Sequence, residues 1–198
     1  MMALVAAARR YTASDDPRVA TANLVAMVLA SNTPFYPFYL LWVAGSSVHG
    51  GVWLTLCACP VFLAVPAVTR RSWGWGRAML VAAGTANTLF CTWLLGEASG
   101  TALFLFPCIA LAALVFRRTE RVALLTLLAA PGLAGLALYG RYPASPFACA
   151  GAACDAIAWM NAVSVGSLTM FLGYLSTGLA EERRGIRPEP AAARPRRP

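Results

Sequence analysis

The sequence lacks lysine altogether, and charge of either sign is scarce in it. Only 12% of its 198 residues are charged, whereas a soluble domain typically carries about a quarter. No Asp, Glu, Lys or Arg occurs between Arg18 and Arg70, a gap of 51 residues. Because 59% of the residues are hydrophobic, a water-soluble fold of this size could not hide its apolar surface. The composition excludes a soluble enzyme and a disordered chain, and it predicts a membrane protein.

The positive charge has a positional explanation. The formal net charge is +8, and all 16 basic residues are arginines that cluster at the ends of apolar runs. Of these 16 arginines, 15 fall in the N-terminal segment, two loops and the tail, and only Arg141 falls in the loop on the other side. Because positive residues near span ends stay in the cytoplasm, we expect both termini to be cytoplasmic, in the plasma (inner) membrane. We expect no binding of nucleic acid.

Six apolar runs are long enough to cross about 30 Å of hydrocarbon at 1.5 Å per residue. The predicted spans lie near residues 19–45, 48–68, 78–97, 99–116, 121–140 and 156–180. The predicted fold is therefore an all-α bundle of six transmembrane helices within residues 18–184. Residues 1–17 form a cytoplasmic segment, and residues 185–198 form a disordered, basic Pro/Arg tail.

Two prolines interrupt the first span. Pro34 and Pro37 each remove a helical hydrogen bond, which frees the carbonyl groups near residues 30 and 33. We expect the helix to kink or rewind there, with Ser31, Asn32 and Thr33 as local partners. Two interpretations stay open: an ordinary kink in a packed bundle, or a site built on opened backbone as in broken-helix transporters.

The sequence carries no recognisable catalytic or metal-binding motif. A P-loop, a GxSxG elbow, an HExxH helix and an EF-hand loop are all missing, and the chain has one histidine. No ionisable group is predicted deep in a span, which argues against ion-coupled transport. We therefore predict no catalytic residue, no metal ligand and no cofactor.

Two cysteines lie in the predicted external loop. Cys149 and Cys154 would close a short ring in an oxidising compartment, so we predict a disulfide between them. Free thiols and a redox centre are the alternatives, although redox centres favour a CxxC spacing.

Polar and aromatic residues collect in the predicted outer halves of the spans. Asparagine in a span must find a hydrogen-bond partner, since no water is available there. Residues 35–42 contain five aromatic side chains, so some of them must face inward. An aromatic belt and ordinary packing could explain these features; an outward-open ligand pocket could too. The candidate pocket residues are Asn32, Tyr36, Tyr39, Trp42, Asn87, Trp93 and Asn161.

Three segments resemble a known family. They are residues 87–100 (NTLFCTWLLGEASG), which run on to the FLFP of 104–107; residues 116–121 (FRRTER); and Asn161 in a span that leads into the EERR of 181–184. They resemble the hexahelical membrane domains that precede bacterial class III adenylate cyclases and some sensor kinases. The resemblance implies a receptor or regulator of a cytoplasmic output domain.

The sequence departs from that family after the sixth span. Gly185, Pro188 and Pro190 would break a signalling coiled coil, so we expect this version to lack the output domain. We therefore expect a stand-alone, non-enzymatic sensor that binds an apolar or lipid-like ligand and acts through a cytoplasmic partner. A homodimer is a further partner hypothesis beside the lipid bilayer. The alternative function is a small-molecule facilitator or a transporter subunit.

Overall fold

The computed structural model describes residues 2–45 and 50–185, and within these ranges it is helical and contains no strand. The α-helices are α1 (Met2–Thr12), α2 (Pro17–Asn32), α3 (Tyr36–Ala44), α4 (Cys59–Arg71), α5 (Trp73–Leu95), α6 (Leu105–Val115), α7 (Arg121–Leu138) and α8 (Ala152–Gly185). The same described residues include four 3-10 segments: Thr33–Phe35, Gly50–Ala58, Glu97–Ser99 and Thr101–Phe104. The prediction of an all-α membrane bundle is confirmed.

Among the described residues, five helical stretches are long and apolar enough to cross a membrane. They are Pro17–Ala44, Gly50–Arg71, Trp73–Leu95, Arg121–Leu138 and Ala152–Ala180. The sixth apolar stretch, Thr101–Val115, is shorter, at about 25 Å if its first four residues rise as a 3-10 helix. Two helices begin earlier in the chain than the predicted spans. Helix α5 begins at Trp73 rather than near residue 78, and α8 begins at Ala152 rather than near residue 156.

The first span changes helix type at its proline pair. Helix α2 ends at Asn32, a 3-10 turn covers Thr33–Phe35, and α3 begins at Tyr36. The thiol of Cys59 contacts the carbonyl oxygen of Ala30 at 3.5 Å, and the backbone N–H of Tyr36 donates to the carbonyl of Thr33. The freed carbonyl groups thus find a thiol of α4 and a backbone N–H, whereas the Thr33 hydroxyl donates to the carbonyl of Leu29.

The tight core lies between α2, α4, α5 and α6. Fully buried side chains from each helix meet there: Ala22, Val25, Ala26, Phe62, Val65, Leu80, Val81, Leu111, Ala112 and Val115. Helices α4 and α5 approach so closely that a Cβ atom on Gly76 would lie 2.7 Å from the backbone nitrogen of Thr69. Helices α7 and α8 are covered far less, and their exposed leucine, valine and methionine side chains suit contact with lipid tails.

The two ends of the bundle differ in chemistry. Arg18, Arg70, Arg77 and Arg117 all bind backbone or acidic groups at one end, which we call the arginine-rich end. At the opposite end, the loop of residues 139–151 folds over the helix termini, and Cys149 donates a backbone hydrogen bond to Leu95. Residues 186–198 of the predicted tail lie outside the described residues.

Candidate functional site

A buried polar cluster joins three separate stretches of the chain near the loop-covered end. The side chain of Asn161 in α8 is fully buried. Its amide oxygen accepts a hydrogen bond from the Tyr36 hydroxyl at 3.0 Å. Its amide nitrogen donates to the carbonyl of Ser99 at 2.9 Å and to the hydroxyl of Thr101 at 3.2 Å. One asparagine therefore ties α8 to α3 and to the turn that precedes α6.

The backbone between α5 and α6 places Ser99 and Thr101 in that cluster. Gly100 has φ of +68°, and a Cβ atom there would meet the Cα atom of Ala158 at 3.3 Å, so only glycine fits without strain. The turn brings the hydroxyl groups of Ser99 and Thr101 within 2.8 Å of each other, and both residues are buried. Sequence reasoning missed both residues, although two hydroxyl side chains set around a glycine at a span boundary were a usable signal.

A cavity of about 120 Å³ lies beside this cluster, between α2, α4, α5, α6 and α8. Its apolar walls include Val25, Leu29, Phe62, Phe104, Pro107, Leu111, Leu168 and Leu172. Tyr36 also lines it, as do threonines whose hydroxyl groups donate to nearby backbone carbonyls.

Two asparagine amides supply the free hydrogen-bonding capacity of the cavity. Asn32 and Asn87 both line it. Within the described part of the chain, neither amide nitrogen has a hydrogen-bond partner; only the amide oxygen of Asn87 is contacted, by the Cys91 thiol at 3.7 Å. A partner in the cavity would satisfy these groups, because a carboxamide offers two donors.

The structure brings four of the seven predicted pocket residues together and leaves three apart. Tyr39 and Trp42 are 42% and 84% exposed, and neither lines the cavity. The reason is the helical register of α3, in which Pro37, Leu40 and Ala44 form the buried face.

Trp93 also lies away from the cavity lining. It packs against Phe90 with ring centres 5.7 Å apart, and its indole N–H is buried without a partner among the described residues. Trp93 therefore belongs to the packing of the loop-covered half of α5 rather than to the cavity.

The two loop cysteines lie where a disulfide requires them. The Cα atoms of Cys149 and Cys154 are 5.2 Å apart, and their sulfur atoms are within bonding distance. The same loop is held to α5 by the Ser145 hydroxyl, which donates to the carbonyl of Leu94, and by the Glu97 carboxylate, which accepts from the Gly140 N–H at 2.8 Å. Burial raises the pKa of Tyr142 in this loop, and the carboxylate of Glu97 raises it further. The disulfide itself stays a prediction.

The arginine-rich end contains a network that sequence reasoning did not predict. The Arg77 side chain, 6% exposed, forms an ion pair with Glu120 at 2.5 Å and donates to the carbonyl of Val115 at 2.7 Å. Its guanidinium carbon lies 4.9 Å from the centre of the Phe116 ring. Arg117 forms a second ion pair with Asp16 at 2.5 Å. The early start of α5 is what places Arg77 inside the helix instead of in a loop.

This network sets the protonation of Glu120. The hydrogen bond from Arg77 lowers the pKa of Glu120, and the backbone N–H of Arg117 adds to the effect. Glu120 is therefore an anion at neutral pH that holds the α6–α7 turn against the start of α5. Among the described residues, no group of three or more His, Cys, Asp or Glu side chains could hold a metal ion.

The fold and the buried cluster define a class: a small polytopic helical membrane domain with a polar site among its helices. The chain belongs to the MASE7 family, a family of membrane-associated sensory domains, whose family model matches residues 8–183. The expected resemblance is thus confirmed at the level of a membrane-associated sensory domain. No curated protein and no solved structure matches the chain.

Proposed function

We propose that this domain senses a small, mostly apolar molecule that binds in the cavity beside Asn161 and reports it to a cytoplasmic signalling partner. The observation that carries the proposal is the pair of asparagines, Asn32 and Asn87, which line an apolar cavity and whose amide nitrogens have no hydrogen-bond partner among the described residues. An unsatisfied amide in a water-poor region is costly, so a bound ligand with a hydrogen-bonding group would stabilise the site.

The size of the cavity limits the ligand. A cavity of about 150 Å³ holds a molecule such as benzene, which has six heavy atoms, so about 120 Å³ accommodates a buried portion of about five heavy atoms. Asn32 is exposed at the edge of the cavity, which leaves a route for a longer apolar tail. The ligand class is therefore a short or single-chain amphiphile with one polar group.

The contacts of Asn161 suggest how binding is transmitted. Tyr36 lines the cavity and donates to Asn161, and Asn161 belongs to α8, the last helix of the described residues. Residues 173–180 of α8 contain no buried side chain, although Leu175 packs partly against the core, so we expect this part of the helix to be held less firmly than the part around Asn161. A ligand that shifts Tyr36 would move α8 through one hydrogen bond.

The proposal includes the topology expected from the arginine distribution, with both termini cytoplasmic. The clustering of Arg18, Arg77 and Arg117 at one end of the bundle supports it. A membrane-impermeant thiol reagent applied to intact cells should label a cysteine placed at Ala150 and should not label one placed at Arg71 or Arg118. Labelling at Arg71 would contradict this topology.

Binding can be tested with two fluorinated probes that differ in one hydroxyl group. We expect 6-fluorohexan-1-ol to bind the purified chain saturably in detergent, as followed by fluorine NMR, and 1-fluorohexane to bind several-fold more weakly. The hydroxyl accepts from the Asn87 amide, and one such bond in a membrane protein contributes about 0.6–2 kcal/mol, or about threefold to thirtyfold in affinity.

The variant Asn87→Leu distinguishes binding of the probes in the cavity from their general partition into the micelle. It should remove the preference for 6-fluorohexan-1-ol while leaving the binding of 1-fluorohexane unchanged. The matched control is Gly166→Leu on the exposed face of α8, which adds a leucine where no atom lies within 4 Å. Equal binding of both probes by the wild type, or an unchanged preference in Asn87→Leu, would overturn the proposed site.

A further inference from the structure

Besides the cavity lined by Asn32 and Asn87, which we call the sensory cavity, a second cavity lies near the arginine-rich end. It is a groove of about 530 Å³ between α6 and α8. Small and apolar side chains form its walls, with Ala110, Ala113 and Leu114 on one side and Leu172, Gly173 and Leu179 on the other. The hydroxyl groups of Thr169 and Ser176 also line it, but both donate to carbonyls of their own helix. Its walls therefore suit a hydrocarbon chain.

One positive charge lines this groove. Arg18 lies in the first turn of α2, and its Nη1 atom donates to the carbonyl of Leu114 at 3.0 Å and to the carbonyl of Phe116. Those two bonds fix the guanidinium beside the C-terminus of α6. Within the described residues, its Nε and Nη2 groups have no hydrogen-bond partner, so the three N–H donors on these two nitrogens remain available.

The nearby acidic side chain does not neutralise Arg18. Asp16 gives one carboxylate oxygen to Arg117 at 2.5 Å and the other to the backbone N–H groups of Arg18 and Val19. The charge of Asp16 is therefore balanced by Arg117 and the start of α2. Arg18 presents a net positive charge to an anion that enters the groove.

The length of the groove matches one leaflet of a bilayer. Its lining on α8 runs from Thr169 to Ala180. At 1.5 Å per residue this distance is about 16 Å, close to half of the roughly 30 Å hydrocarbon thickness. An acyl chain that starts at the arginine-rich surface would therefore fill the groove to the middle of the membrane.

We propose that this groove is a binding site for an anionic phospholipid of the leaflet at the arginine-rich end. The phosphodiester accepts hydrogen bonds from the free donors of Arg18, and one acyl chain lies between α6 and α8. Leu172 lines both this groove and the sensory cavity, so the bound lipid supports the wall that the two spaces share. The proposal does not depend on the sensory ligand.

The test offers the purified full chain an equimolar mixture of phosphatidylglycerol and phosphatidylcholine with identical acyl chains. Bound lipid is then identified by native mass spectrometry. We expect one retained phospholipid and a preference of about fivefold for phosphatidylglycerol, since one arginine contributes about 1 kcal/mol toward an anionic lipid. The variant Arg18→Gln should reduce that preference to about one.

Two matched controls distinguish lipid binding in the groove from general attraction of anionic lipid by surface charge. Arg118→Gln removes the same charge at the same end from an exposed side chain that makes no hydrogen bond in the described part of the chain, and it should keep the preference. Gly173→Leu fills the groove without touching Arg18 and should lose the bound lipid, whereas Gly166→Leu should retain it; neither site has an atom within 4 Å of an added Cβ.

The glycine variants keep the test decisive even where Arg18→Gln fails to fold. Equal losses of preference in Arg18→Gln and Arg118→Gln would overturn the proposal, because the effect would then be general electrostatics. Retention of lipid by Gly173→Leu would overturn it as well. So would a lipid-free dimer of the wild type that Gly173→Leu dissociates, since a second copy would then occupy the groove.

Discussion

Asn161 and Tyr36 meet through a single hydrogen bond of 3.0 Å between α8 and α3. Removing the asparagine leaves the Tyr36 hydroxyl, the Ser99 carbonyl and the Thr101 hydroxyl with one partner fewer each. We expect Asn161→Leu to lower the free energy of unfolding by about 2 kcal/mol and Tyr36→Phe by about 1 kcal/mol. The measurement is unfolding by sodium dodecyl sulfate in mixed micelles, followed by circular dichroism.

The double variant isolates the shared bond. Because both single changes remove it, their effects should overlap by about 0.5–1.5 kcal/mol in the double-mutant cycle. The matched control pairs Asn161→Leu with Tyr39→Phe, since Tyr39 is exposed and lies away from the cluster. Strict additivity of the Asn161 and Tyr36 changes would show that the bond does not couple the two helices.

Glu120 makes the arginine-rich end sensitive to acid. Its pKa is lowered in the folded protein by Arg77, so its stabilising effect is complete above its ordinary value of 4.5 and is lost as the pH falls through the lowered value. We expect the thermal midpoint to fall as the pH drops below the ordinary value of 4.5 and through the lowered pKa, and Glu120→Gln to remove part of that fall.

The same variant should be less stable at neutral pH by about 2 kcal/mol, because it leaves the nearly buried Arg77 without its ion pair. Asp15→Asn removes one acid from the exposed surface at the same end and serves as the control. Identical pH profiles for Glu120→Gln and the wild type would contradict this account of the network.

At the scale of helices, the contact of α4 with α5 depends on one glycine. Gly76→Ala would place a methyl group 2.7 Å from the backbone nitrogen of Thr69, so the two helices must separate. We expect a loss of stability of about 1–3 kcal/mol in thermal unfolding. Gly74→Ala in the same helix meets no atom within 4 Å and should be neutral or stabilise by up to about 1 kcal/mol. Equal effects of the two changes would rule out the close approach.

The loop-covered end provides a test of the predicted disulfide. Mass spectrometry of protein isolated from membranes under non-reducing conditions should show Cys149 and Cys154 joined, two hydrogen atoms lighter than the reduced peptide. Replacing both with serine should cost about 2 kcal/mol, since a ring of this size restrains few residues of the unfolded chain. Alkylation of both thiols in freshly isolated membranes would contradict the bond.

The elements were predictable to different degrees for physical reasons. Bilayer thickness fixes the length of a span, so hydropathy predicted the helices, and Pro34 and Pro37 predicted the rewound turn. The side of α3 that is buried in the protein could not be predicted. Lipid tails are as apolar as a protein core, so the lipid-facing and core-facing sides of the helix do not differ in hydrophobicity. Tyr39 and Trp42 were therefore assigned to the cavity, whereas they lie outside it.

The partners of the charged residue Arg77 could not be predicted from the sequence either. An arginine near the start of a span resembles a topological signal, and only the three-dimensional arrangement shows that Glu120 and the carbonyl of Val115 bind it. Ser99 and Thr101 were missed since their roles depend on the turn at Gly100. Long-range polar partners are set by tertiary packing, which local sequence patterns do not encode.

For the molecule as a whole, the tight core of α2, α4, α5 and α6 forms a frame against which α8 is held by the hydrogen bonds of Asn161 and, further along the helix, by the packing of Leu172. The other half of α8 borders the groove and exposes most of its side chains. A sensory domain needs a rigid part and a part of low local stability, and this division supplies both. The central claim is that occupancy of the cavity changes the freedom of that half of α8.

Hydrogen–deuterium exchange of α8 tests that claim most directly. With saturating 6-fluorohexan-1-ol, we expect backbone amides of residues 173–180 to change their exchange rate by at least about threefold in the wild type, which corresponds to a change of about 0.6 kcal/mol in the free energy of local opening. Asn161→Leu should still bind the probe but lose the change, since the link from Tyr36 to α8 is absent. Saturable binding of the probe with unchanged exchange along α8 in the wild type would contradict the account.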